Sequence, residues 1–271
     1  MLIIIFVLVL PMIFTVFCST QSLRYLQFGD YVGLKNYSDL LSDSNVLASF
    51  GRTLGITLGA TAISMLFGLL LALWIHNSKG FLAYVIQMIG LVPWVISMVV
   101  GALLWRWLFN HDLGIINALL RQLGAEGLRV FQNKRQAVLL LIFVMAWRTI
   151  GYSMVMILAG FKGVSQGLIE AANVDGANKL QTLLYIQLPL VKTPLLVSTI
   201  VLTMSNFNNN TVPMVLTSGG PGSATNVISL YLYKLSFTYY QFGKSTALAV
   251  LLLAANLVMT VLYIRMVKYE V

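Results

Sequence analysis

The chain has 271 residues, 59% of them hydrophobic and 9% charged, with a net charge of +9. A soluble domain carries about 25% charged residues, so this chain cannot cover an aqueous surface, and the solvent for most of it is lipid. The basic excess has no run denser than Lys134-Arg135, which argues against nucleic acid and fits contact with anionic headgroups.

A membrane-crossing helix needs roughly 20 mainly apolar residues. Six stretches qualify, at about 2–19, 53–75, 81–107, 137–160, 193–214 and 245–264. Turn or charge signals separate them, as in His76-Asn77-Ser78-Lys79-Gly80. With no repeat, low-complexity tract or flexible linker, the expected architecture is a single all-α integral membrane domain over 1–271. The first stretch lacks the basic start and the small-x-small cleavage site of a secretory signal, so it reads as a retained span. It also lacks a basic flank ahead of Leu2, which leads to the expectation of a natural start further upstream. Cys18 follows bulky Phe17 and is the single cysteine, which argues against a lipid anchor, an intrachain disulfide and a multi-cysteine metal site.

In the third stretch and at its end, Trp94, Trp105 and Trp107 read as interface anchors. His76 and His111 lie far apart in polar connections, without metal-ligand spacing. The fourth stretch holds Arg148 beside Trp147, with Tyr152 one turn later. A buried guanidinium needs backbone carbonyls or an acidic group, and a structural pair is the simpler expectation.

The connection over 161–192 is polar and long. Glu170, Ala171 and Ala172 favour helix, and Gly176 supplies either a break or a point of close approach. Leu180, Leu183, Leu184 and Gln187 then recur at helical spacing as a largely apolar stripe. Asp175 and Lys179 stand four apart and can pair, and Pro189 is expected to end the second helix. Two readings follow: a helical hairpin that docks into another protein's groove, or an amphipathic loop resting on the bilayer.

These residues resemble a known family. Glu170-Ala171-Ala172, then Asp175, Gly176 and Ala177, and later Ile186, Leu188, Pro189 and Pro194, are similar to the cytoplasmic EAA loop of binding-protein-dependent ABC permeases. Gly33-Leu34-Lys35-Asn36-Tyr37, the run Trp105-Arg106-Trp107-Leu108-Phe109-Asn110 with Gly114 and Asn117, and Gly219-Gly220-Pro221-Gly222 resemble the sugar-permease branch typified by the maltose permease. The resemblance covers nearly the whole chain and is weakest before residue 30. It implies the six-span type I importer fold, with the loop in the cytoplasm against an ATPase. It also implies a second permease subunit, two ATPase subunits and an external solute-binding protein, in a bacterial plasma membrane with both termini cytoplasmic. The solute it implies is small and polar, a sugar or sugar-like molecule.

The chain has no phosphate loop, so ATP and magnesium are expected on the partner ATPase, with no cofactor here. It shows no nucleophile–base pair, so no enzymatic role is expected. The solute path is expected to involve polar groups inside spans. Asn206, Asn208, Asn209 and Asn210 are the leading candidates, since amides both donate and accept, and Phe207 is a candidate for stacking on a sugar face. Four asparagines within five residues cannot share one helix face, so some serve interhelical bonds or the stretch is unwound. Arg148 with Tyr152 is a further candidate, for an anionic solute such as a sugar phosphate. The alternative class, an ion-gradient-driven transporter or channel, fits less well, because all eight acidic residues fall outside the six stretches. Charge counting alone opposes the implied orientation. Arg24, Lys35, Arg52, Arg106, Arg121, Arg129, Lys134, Arg135, Lys234 and Lys244 lie opposite the 161–192 loop and would draw that side to the cytoplasm.

Overall fold

The computed structural model describes residues 5–25, 27–78 and 80–268. Residues 2–4 of the first predicted span and Lys79 lie outside the described residues. The centre of the fold is a pair of long helices. Asp43 starts α3 (Ser44–Asn77) by accepting the Asn45 amide on Oδ1 at 2.8 Å, and Asn133 starts α7 (Lys134–Lys162) by accepting from the Arg135 and Gln136 amides. At about 1.5 Å per residue, α3 is about 50 Å long, more than the roughly 30 Å hydrocarbon core, so it reaches beyond the lipid.

The two helices meet along Ala60, Ser64, Gly68 and Ala72, a buried row of small residues at four-residue spacing. In lipid, small side chains let backbones approach closely and hydroxyls bond across the contact. Here Ser64 Oγ lies 2.7 Å from Thr149 Oγ1, and Ser153 Oγ donates to the Ser64 carbonyl at 2.7 Å. A third helix, α4 (Phe81–Val95), crosses α7 where Gly151 meets Gly90. A Cβ on Gly151 would collide with the Gly90 carbonyl oxygen, so the crossing depends on a missing side chain.

Two predicted spans differ from the straight helices expected. The third is broken: α5 (Met98–Leu108) leaves α4 at 99° across Ile96 and Ser97. Pro93 inside α4 has no proton to donate and its ring crowds the preceding turn, which weakens the helix just before the break. The fifth is shorter than predicted. Its helix α10 (Lys192–Phe207) stops at Phe207, and α11 (Thr211–Thr217) begins only after Asn208–Asn210. The other stretches correspond to α1 (Leu10–Ser19) preceded by a π-helical turn Ile5–Val9, to α3, to α7, and to α13 (Phe242–Lys268).

At one end, α8 (Gln166–Val174) and α9 (Lys179–Leu190) form a hairpin between α7 and α10. At the other end lie an antiparallel pair, β1 (Gln21–Arg24) and β2 (Gln27–Tyr31), with α2 (Lys35–Ser42), α6 (Ile115–Gln122) and α12 (Ile228–Phe237). The first predicted break thus contains strands that its residue pattern did not announce.

Candidate functional site

The hairpin turn is closed by bonds between near neighbours. Gly176 has φ +83°, a conformation open mainly to glycine. The Gly176 amide donates to the Asn173 carbonyl and the Ala177 amide to Ala172, at 3.2 and 2.9 Å. This is the paired closure of a Schellman motif. The next helix starts on a capping box. Asn178 Oδ1 accepts the Gln181 amide at 2.9 Å, and Gln181 Oε1 accepts the Asn178 amide at 2.8 Å. Of the two readings of Gly176, the structure has the break: open space surrounds the position a Cβ would take. The same turn separates Asp175 from Lys179, so the expected ion pair is not formed. Pro189 does not end its helix at once. A π-helical turn, Leu183–Gln187, widens the backbone ahead of it, and the helix continues to Leu190 before bending 64° into α10.

Glu170, Ala171, Asp175, Gly176 and Pro189 are exposed on the hairpin, Ala177 and Leu188 are half-buried, and Ala172 is buried. The surface is not polar throughout. Val174 is 87% exposed and Tyr185 76%, with Leu180 nearby in the second helix. The base of the hairpin is anchored by fully buried Val191 and by Phe161, packed with Leu183 and Leu188.

In the interior, the two helix breaks meet. Asn209 Nδ2 lies 3.8 Å from the sulfur of Met98, the first residue of α5. Asn209 Oδ1 accepts the Val212 amide at 3.0 Å and so starts α11, while its carbonyl accepts from Ser229. Both expectations for the asparagine run are met: the chain is unwound over Asn208–Asn210, and two members bond other helices. Asn206 is buried and donates to Thr61 at 3.2 Å. Asn208 is exposed and exchanges two amide bonds with Asn256 of α13, at 2.9 and 3.1 Å. The Asn210 side chain accepts from its neighbour Thr211 at 3.3 Å, and its carbonyl accepts the Met214 amide at 3.0 Å. Phe207 lies in the core, edge-on to Phe50.

The model of the family described as "Binding-protein-dependent transport system inner membrane component" matches residues 64–268. The chain belongs to this family. It is thus a multi-pass inner-membrane permease subunit of an ABC importer, and not an enzyme. It is 29% identical to the sulfoquinovosyl glycerol transport system permease protein SmoG of Agrobacterium fabrum, over 88% of this chain and 77% of that one. It is also 29% identical to the trehalose/maltose transport system permease protein MalF of Thermococcus litoralis, over 97% and 89%. A crystal structure of a bacterial ABC transporter involved in import of the acidic polysaccharide alginate has the same fold, with a TM-score of 0.87, 21% identity, and 98% and 91% coverage.

Around the fourth span, the permease departs from two expectations. Among the described residues, Arg148 has neither an acidic group nor a carbonyl as partner. Its Nε is buried without an acceptor and its guanidinium lies 5.1 Å from the Trp94 ring centroid. Trp94 and Trp105 are not free interface anchors. Trp94 packs on Tyr152 at 4.9 Å, and Trp105 sits edge-on to Trp147 and Phe143 at 5.4 and 4.9 Å. Two residues were missed from sequence, Asn256 and Met98. An amide inside the apolar sixth stretch was a visible signal for the first; nothing marked the second.

At the end opposite the hairpin, most basic side chains are tied to backbone carbonyls. Arg52 donates to the Ser223 carbonyl at 2.7 Å, Arg106 to Val215 at 3.0 Å and Lys234 to Ser218 at 3.0 Å. Arg121 holds the His111 and Asp112 carbonyls, and Lys244 pairs with Asp39 at 3.0 Å. Burial lowers the Lys234 ammonium below the usual lysine range. The Tyr231 hydroxyl donates to Asp43 Oδ2 at 3.0 Å, and burial, with that bond, pushes it up to about 12.

Proposed function

We propose that the permease forms half of the path for a small hydroxyl-rich solute, and that the Gln166–Leu190 hairpin is where it meets the ATPase that drives import. The observation that carries this reading is the hairpin itself: a turn fixed by its own bonds, presenting exposed Val174, Leu180 and Tyr185 beside Glu170. Apolar side chains next to a charge on a rigid projection suit a groove in a folded partner better than a lipid surface. ATP and magnesium then belong to that partner, two copies of which act on a permease pair, with a second, different permease chain and an external binding protein completing the assembly. The hairpin and both termini would face the cytoplasm. SmoG and MalF are described as carrying sulfoquinovosyl glycerol and trehalose or maltose, which supports a carbohydrate-like solute. Closure of the ATPases would move the hairpin, and the bends at Val191 and at Ile96–Ser97 would carry that motion to the asparagine break.

The test is affinity purification of the tagged chain in mild detergent, with partners identified by mass spectrometry. A P-loop ATPase and a second permease are expected, and Gly176→Asp should release the ATPase while leaving the permease pair. ATPase recovery and ATP-driven transport unaffected by Gly176→Asp would reject the hairpin assignment. A chain that transports alone without ATP would favour an ion-gradient mechanism.

A further inference from the structure

Arg148 lies near the middle of α7, well inside the fourth apolar stretch. A guanidinium keeps its charge in proteins, and ionisable groups at this depth face a water-filled path or a partner. No acidic partner stands against it among the described residues, and the eight acidic residues of the sequence lie outside the six stretches. What the chain provides is a platform. The Gly90–Gly151 contact brings α4 and α7 close enough for Trp94 to touch both Tyr152 and Arg148, with ring centroids of Trp94 and Tyr152 4.9 Å apart and the guanidinium carbon 5.1 Å from the Trp94 ring centroid. Stacking uses the face of a guanidinium and leaves its in-plane terminal N–H groups open, and that fork matches a carboxylate, sulfonate or phosphate. Trp94 is two residues before the α4–α5 break, and Met98, just after that break, touches Asn209. The charge, the aromatic platform and the unwound asparagines therefore adjoin the same discontinuity.

We propose that Arg148, held by Trp94, recognises an acid group on the transported solute, so that the solute is an anionic carbohydrate or polyol. This rests on the importer reading above and adds the sign of the solute's charge. An acid group supplied by the neighbouring permease chain is the competing occupant, and the test distinguishes it.

The complete transporter, with its permease pair, ATPases and binding protein, is placed in proteoliposomes. ATP-dependent uptake is measured for neutral probes (glucose, maltose, glycerol) and anionic ones (glucuronate, glucose 6-phosphate, glycerol phosphate). At least one anionic probe is expected to exceed every neutral one. In Arg148→Gln the ratio of anionic to neutral uptake should fall about tenfold or more, the scale of one lost charge-assisted bond, and Arg148→Lys should restore part of it. Preference for a neutral probe, or no uptake of any anionic one, overturns the proposal. So does an equal loss of both classes in Arg148→Gln, or loss of the permease pair on size exclusion, since either outcome assigns the charge to subunit contact. ATP-independent uptake would instead reject the importer reading and leaves a distinct signature.

Discussion

The two ends of the permease are built on different scales of sequence distance. At the hairpin, the bonds that set the turn join residues at most five apart, such as Ala177 to Ala172. At the opposite end, Arg52 reaches Ser223 across 171 positions, Ile228 reaches Thr53 across 175, and Tyr231 reaches Asp43 across 188. Local closure lets an element hold its shape while the bundle around it moves. Long-range closure makes a surface that exists only when the whole bundle is assembled. A subunit that transmits motion at one end and keeps a fixed face at the other is served by this division.

The strongest way to break the comparison is to disturb the bundle that carries both ends. Gly151→Val should prevent the α4–α7 crossing, because its side chain would have to enter the space of the Gly90 carbonyl. Overpacking costs about 1–3 kcal/mol or more, and the expected result is loss of a monodisperse peak on size exclusion. Next, Arg52→Ala should cost about 1.5–3 kcal/mol, the range for a hydrogen bond to a charged group. Thermal unfolding in detergent should show it, while ATPase recovery on the tagged chain stays unchanged. Gly176→Val should cost about 1–2 kcal/mol of left-handed backbone strain and act in the reverse sense, reducing ATPase recovery with little change in unfolding. Gly176→Asn should recover most of that loss, since asparagine tolerates the same conformation.

The smallest effect is one of pH. The Tyr231 hydroxyl is neutral in the folded state up to about pH 12 and would ionise near 10 when unfolded. Its bond to Asp43 therefore contributes fully below pH 10 and is lost as the pH rises from 10 towards 12. Tyr231→Phe should flatten the stability curve in that window. An unchanged curve would show that Asp43 holds α12 by other means.

These same distances explain what could be read from the residues alone. The hairpin was legible because helix formers, glycine and the following polar residues are contiguous. What escaped was its finer closure: Asn178 with Gln181 is a capping pair written in the sequence, and the π-helical turn before Pro189 is not. The third span read as continuous because hydropathy ignores geometry, although Pro93 was a signal for the bend at Ile96–Ser97. The asparagine run announced polarity but not its division, which Thr61, Met98 and Asn256 decide from distant helices. The basic excess opposite the hairpin also misleads until its bonds are seen. Arg52, Arg121 and Lys234 act as donors to carbonyls at helix ends and in loops, and Arg106 to one in the last turn of α11, so their number there reflects the needs of unpaired backbone as well as membrane polarity.

The Schellman closure at Gly176 and the capping pair at Asn178 have a consequence for modularity. A segment whose stop and start signals are both written within a dozen residues takes its shape along when it is moved. Exchanged between related permeases, Gln166–Leu190 should carry its own docking address, and a channel could be assigned a different motor without rebuilding the channel.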